Sequence, residues 1–167
     1  MKNSRNYYMI KIYFQCENRK FSVQISEQGG AREVKGVDHI GIAVRSLEEA
    51  LPFYTGVLPF KLVKMETVES EQVRVAFLDA GNCKIELLEP AGEDGPVAKF
   101  LEKRGEGIHH VAFETDSIHQ TIQQLTERGA RMVSAEPKEG ASGALVAFIH
   151  PKSAGGVLYE VCQKRKK

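Results

Sequence analysis

The stretch Asp38-His39-Ile40-Gly41-Ile42-Ala43-Val44 is echoed downstream by His109-His110-Val111-Ala112-Phe113-Glu114-Thr115, and the echo does not stop there. Each stretch is followed by a serine that can open a helix, Ser46 or Ser117, and later by an apolar strand carrying a glutamate. That strand is Lys84-Ile85-Glu86-Leu87-Leu88 in the first copy and Val157-Leu158-Tyr159-Glu160-Val161 in the second. His39 and Glu86 are 47 residues apart, and His110 and Glu160 are 50 apart. A unit given twice restricts the fold to two copies of one supersecondary motif, each burying its apolar face with help from the other. Two His and two Glu at matching points of the repeat are the set that a single divalent-metal site needs.

The periodicities give each unit the order βαβββ. In the first strand Val37, His39, Gly41 and Ala43 alternate with Asp38, Ile40, Ile42 and Val44, which places His39 among small neighbours and the branched residues on a helix-covered face. The same rule puts His110 in register with His39 and turns His109 to the opposite face. Capping boxes at Ser46-Leu47-Glu48-Glu49 and Ser117-Ile118-His119-Gln120 start helices whose apolar residues are Leu47, Ala50, Leu51 and Tyr54 in one, and Ile118, Ile122 and Leu125 in the other. Gly56 and Gly129 are their expected stops. Strands are expected near 61–68, 72–79 and 83–89, then near 131–135, 144–150 and 157–162. Pro96 opens a linking helix that ends near Gly105. The fold class is α+β: two tandem βαβββ modules forming a curled mixed sheet around a cleft, in which His39, Glu86, His110 and Glu160 can converge. Module one spans 36–90, the linker helix 91–107 and module two 108–163, with an N-terminal extension, 1–35, and a basic tail, 164–167. In the extension, Tyr8 to Phe14 and Lys20 to Ile25 suit a hairpin, and Gln28-Gly29-Gly30 a linker.

Composition excludes several classes. Lys and Arg number 23 against 22 Asp and Glu, so the electrostatic footprint of a nucleic-acid binder is missing. No apolar run reaches the ~18–20 residues of a membrane span, and no secretory pattern opens the chain. Cys16, Cys83 and Cys162 have no metal-type spacing and fit reduced thiols in a cytoplasmic protein. Lys99, Lys103, Lys138 and Lys152 form no phosphate cradle, and solvated side chains are the better reading of each. Gly140-Ala141-Ser142-Gly143 reads first as a turn that could also offer N–H groups to an anion.

The duplicated pattern resembles the vicinal oxygen chelate superfamily, the glyoxalase and bleomycin-resistance fold. Three further stretches resemble the methylmalonyl-CoA epimerase family: Asp38 to Val44, Ala98-Lys99-Phe100-Leu101-Glu102-Lys103-Arg104-Gly105-Glu106-Gly107-Ile108-His109-His110, and His150-Pro151-Lys152-Ser153 followed by Gly155-Gly156-Val157-Leu158. The resemblance runs from about residue 36 to residue 163. It implies His39, Glu86, His110 and Glu160 as ligands of Co²⁺, Zn²⁺, Mn²⁺ or Ni²⁺, with Gln or Glu both found in relatives at the position of Glu86. It implies an acyl-CoA substrate, epimerised between the (2R) and (2S) forms of methylmalonyl-CoA by α-proton transfer through a metal-stabilised enolate. Glu160 and Glu86 are then the candidate bases, one per face. Some relatives carry a further catalytic Glu on the second strand of the first module. The corresponding position here is Val75, which raises the weight on Glu86. Two other activities share the ligand set or the fold: a lactoylglutathione lyase, and a non-catalytic drug-binding resistance protein. The fold commonly forms a homodimer, and modules can pair between chains; the contiguous repeat favours pairing within one chain.

Overall fold

A computed structural model describes residues 10–16, 19–25 and 34–165. The first two segments form a hairpin, β1 (Ile10–Cys16) antiparallel to β2 (Arg19–Ile25), as the β-forming composition predicts; the expected Gln28-Gly29-Gly30 linker lies outside the described residues. The remainder is one curled sheet with three helices. In chain order it runs β3 (Val34–Ala43), α1 (Leu47–Pro52), β4 (Lys61–Val68), β5 (Val73–Asp79), β6 (Lys84–Pro90), α2 (Pro96–Arg104), β7 (Gly107–Thr115), α3 (Ile118–Glu127), β8 (Lys138–Glu139), β9 (Leu145–Ile149) and β10 (Tyr159–Gln163). The eight strands of the sheet lie in the order β4-β5-β6-β3-β7-β10-β9-β8. The modules therefore pair within the chain, through the antiparallel contact of β3 with β7 at the centre. No described helix is long and apolar enough to cross a membrane.

The convex side is closed by α1 and α3, while Val97 and Leu101 of α2 pack on the concave side with Val73, Val75, Phe77 and Leu88. Leu47, Ala50, Leu51 and Tyr54 of the first helical segment pack with Ile40, Ile42, Leu78, Ile85 and Leu87, and Ile118, Ile122 and Leu125 pack with Ala147 and Val161. These are the positions that the helical spacing selects. Both helix starts are held from the last strand of their own module. Glu89 Oε2 accepts the Leu47 N–H at 2.6 Å and Gln163 Oε1 accepts that of Ile118 at 2.8 Å, each acceptor three residues past the glutamate of the repeat. Ser46 also caps, accepting the Glu49 N–H at 3.2 Å, whereas Ser117 makes no side-chain cap.

Two expectations change. Gly56 does not stop the first helix: the chain continues through a π turn, Phe53–Val57, closed by the Leu58 N–H on the Phe53 carbonyl. The strand expected at 131–135 is reduced to a single bridge between Met132 and Ile149, with β8 following at 138–139. Pro137 has no N–H to give a ladder, and the polar Arg131, Ser134 and Glu136 leave little to bury at this sheet edge.

Candidate active site

The concave face carries two rows of side chains set by strand register. One runs Phe77–Glu86–Gly41–His110 across β5, β6, β3 and β7. The other runs Phe148–Glu160–Ala112–His39 across β9, β10, β7 and β3. Because β3 and β7 are antiparallel, each histidine is placed in the row of the other module's glutamate, next to a small residue. A Cβ on Gly41 would stand 2.7 Å from His110 Nδ1 and 2.8 Å from Nε2, so the ring occupies the space that glycine leaves.

Strict alternation of β3 on β7 fails at three points, two of them beside the site. The register of β3 on β7 shifts between Val37 and His39 and again between Gly41 and Ile42. The extra residues are Asp38 on β3 and His109 on β7, each a β-bulge. The expectation that these two side chains face away from the cleft is therefore wrong: both line the cavity beside their neighbours. Asp38 Oδ2 is 3.0 Å from His39 Nδ1, and His109 Nδ1 is 2.9 Å from His110 Nδ1.

All four predicted site residues are buried. His39 Nε2 lies 3.2 Å from His110 Nε2 and 3.8 Å from Glu160 Oε1, and His110 Nε2 lies 3.5 Å from Glu160 Oε2. Ligand atoms of His39, His110 and Glu160 lie within 4.8 Å of one another. Glu86 stands off from this trio, with its Oε1 3.6 Å from His39 Nδ1. Burial pushes the Glu160 carboxyl up to about 7 and raises that of Glu86. For His39, burial opposes protonation, but the Asp38 hydrogen bond and the Glu86 and Glu160 carboxylates outweigh it and raise its pKa. Burial, with His39 and His109 adding to it, holds His110 well below the imidazole range. A buried carboxylate is costly without a cation, and of the two imidazoles at its side one resists taking charge. Two nitrogens and a carboxylate on one point are a donor set that a divalent ion of the Zn²⁺ or Co²⁺ type fits.

The site is the inner end of a cavity of about 550 Å³ between the modules. Its wall is largely apolar, with Val73, Val75, Leu88, Val97, Val146 and Phe148 among its lining. Val75, the position where some relatives carry a carboxylate, is buried there in register with Glu66 on β4. The predicted turn 140–143 roofs the cavity, yet its Ser142 N–H is already given to Glu66 Oε1 at 2.6 Å. Lys138 is exposed, as expected, and pairs with Glu71 across the cleft at 2.6 Å. Lys164 of the basic tail reaches back to Asp38 Oδ1 at 2.6 Å, opposite Lys84 on Oδ2 at 2.8 Å. Asp38, Phe77, Phe148, Lys84 and Lys164 are not marked by the sequence as site residues. The phenylalanines were detectable, since Val-Ala-Phe occurs at both 75–77 and 146–148.

Residues 38–148 match the family model described as Glyoxalase/Bleomycin resistance protein/Dioxygenase superfamily. The chain belongs to this superfamily. Within it, the chain groups with the methylmalonyl-CoA epimerases. It is 42% identical over 129 residues to the ethylmalonyl-CoA/methylmalonyl-CoA epimerase of Cereibacter sphaeroides, covering 76% of this chain and 96% of that one. A variant Streptomyces coelicolor methylmalonyl-CoA epimerase in complex with 2-nitronate-propionyl-CoA is 36% identical, with a TM-score of 0.74 over 78% of this chain and 95% of that one. Hypothetical protein BH1468 of Bacillus halodurans C-125 is 55% identical, with a TM-score of 0.77 over 79% of this chain and 96% of that one. The superfamily fold accounts for the duplicated modules and for a ligand-sized cleft between them.

Proposed function

We propose that this chain interconverts the (2R) and (2S) forms of methylmalonyl-CoA by removing and returning the α-proton inside the cleft. The observation that carries the reading is the meeting of His39, His110 and Glu160 at the inner end of an apolar cavity, in a chain whose relatives include epimerases of acyl-CoA substrates. The metal would be held by these three residues with Glu86 as the fourth, and is Co²⁺, Zn²⁺, Mn²⁺ or Ni²⁺. When bound it supplies positive charge at the thioester and carboxylate oxygens, where negative charge develops as the proton leaves.

The protein's own part is proton transfer and shielding. Glu86 and Glu160 come from opposite halves of the sheet and lie near different nitrogens of His39, and they are our assignment for the bases on the two faces of the planar intermediate. The valine, leucine and phenylalanine wall keeps bulk water from the carbanion. Residues 36–163 are taken as the catalytic unit, with 1–35 outside it.

The test is deuterium wash-in at the α-carbon of either epimer in D₂O, with Co²⁺ and then with chelator. Metal-dependent exchange with interconversion is expected. No exchange in metal-loaded protein overturns the reading, and the hemithioacetal of methylglyoxal and glutathione is then the next substrate. A protein without metal and without exchange would be a binder on the same fold.

A further inference from the structure

The sheet curls so far that its two ends are bridged over the cavity without pairing as strands. β4 ends the sheet in module one and β8 ends it in module two, and the segment 138–143 makes the bridge. Lys138 Nζ lies 2.6 Å from Glu71 Oε1, and the Ser142 N–H donates to Glu66 Oε1 at 2.6 Å. Ala141, between them in the chain, packs on the module-one cluster of Val73, Val75, Phe77 and Val97. Among the described residues, the other polar contacts of this segment run to module two and the tail that follows it. Lys138 and Glu139 pair with Val146 and Leu145, the Gly140 N–H donates to the Ala144 carbonyl at 2.8 Å, and Arg165 reaches Glu139 at 3.0 Å. The two attachments are unequal. Toward module two the segment is a hydrogen-bonded hairpin. Toward module one it has an ion pair with an exposed lysine, one hydrogen bond and a methyl contact, and an exposed ion pair adds little net stability.

The bridge also stands between two spaces. On one side is the cavity of about 550 Å³ that holds the candidate site. On the other is a polar hollow walled by Glu66, Glu69 and Glu139, and Glu71, Lys138 and Ser142 line both. A CoA thioester can place only its acyl end in the inner space, because its pantetheine arm and nucleotide are far larger than that end. We propose that residues 138–143 are a strap that lifts from module one to pass the acyl end of a CoA thioester, with the Lys138–Glu71 pair as its latch. The inference rests on the acyl-CoA reading and deepens it by assigning the route of entry. Lifting the strap breaks the contacts to Glu71, Glu66 and the module-one cluster and leaves the β8–β9 hairpin whole, so the segment moves as a unit. A latch of low net stability suits this, since each turnover must open it.

The latch is read first without ligand, by NMR of amide exchange at Ser142, whose N–H is covered only while the strap is down. Glu71→Gln keeps the side-chain shape and removes its charge, so it should speed that exchange roughly two- to fivefold, the worth of an exposed ion pair. Lys138→Gln should do the same, and the double variant should add nothing further. Salt at about 1 M should speed exchange in wild type and not in Glu71→Gln. Gating is then read by surface plasmon resonance with propionyl-CoA on wild type and on the double variant, whose net charge is unchanged. Association and dissociation rates should both rise roughly two- to fivefold, with Kd unchanged. A purely structural pair would lower stability without moving both rates together. Ser142 exchange that is the same in all four proteins, or unchanged propionyl-CoA rates, overturns the strap and leaves the epimerase reading intact. A changed Kd at unchanged association rate makes the pair a ligand contact and also overturns it. Wild type that binds no propionyl-CoA and exchanges no α-proton overturns both readings.

Discussion

Replacing Gly41 by Ala tests whether the rows of side chains hold the site. The strand backbone at Gly41 is ordinary, since its φ is not among the positive values, so the alanine itself is tolerated. The cost comes from the ring opposite. The added methyl would be 2.7 Å from His110 Nδ1 and 2.8 Å from Nε2, against an ordinary contact of ~3.5 Å or more. The imidazole must therefore retreat by about 1 Å, in a wall where it also packs on Phe148 at 5.7 Å between centroids. Overpacking of this kind costs roughly 1–3 kcal/mol of stability. Ligand distances tolerate only about 0.2 Å, and a misplacement of about 1 Å costs on the order of 100-fold in rate. Metal affinity by calorimetry and α-proton exchange at saturating metal should both fall, the second by about 100-fold. The counterpart in the other row is already Ala112, and Ala112→Gly should keep metal affinity within about threefold while losing roughly 0.5–1 kcal/mol of stability. A Gly41→Ala protein that is less stable but keeps wild-type metal affinity and exchange would refute the argument that this glycine makes room for His110.

Other consequences follow from the same contacts. Glu160 sits at about 7 when folded against an ordinary 4.5, so its neutral form contributes stability that is complete below pH 4.5 and lost as pH rises through 7. Metal-free Glu160→Gln should therefore equal metal-free wild type near pH 4.5 and exceed it above pH 7 by up to ~3 kcal/mol in urea unfolding. Glu89 holds the start of α1 and also accepts from Arg74 at 2.7 Å; Glu89→Ala should lose roughly 1–2 kcal/mol, with Glu89→Gln recovering most of it. Burial, then the Glu160 and Asp38 charges, push the Cys162 thiol up to about 12, so it should resist iodoacetamide at pH 8 until the protein unfolds, as followed by mass spectrometry.

Much of this site is legible in the sequence because duplication makes the sequence its own comparison. His39 and His110, and Glu86 and Glu160, stand out by matching position, and the helices by their 3.6-residue spacing. What could not be read is what the second copy does to the first. Pairing β3 with β7 antiparallel puts His110 against Gly41, in the row of Glu86, and no within-module pattern contains that pairing. The bulges are of the same kind. An alternating strand places Asp38 and His109 outside, and one unpaired residue on each strand brings them in. Lys164 reads as tail until the fold carries the end of β10 past Asp38. The differences between the copies then become informative. Gly41 against Ala112, and an anion behind His39 against a neutral ring behind His110, show that the halves share a scaffold but do not hold their imidazoles in the same way. Duplication supplies the shared scaffold, and the antiparallel pairing of β3 with β7 lets each copy surround its imidazole differently in the one cleft between them.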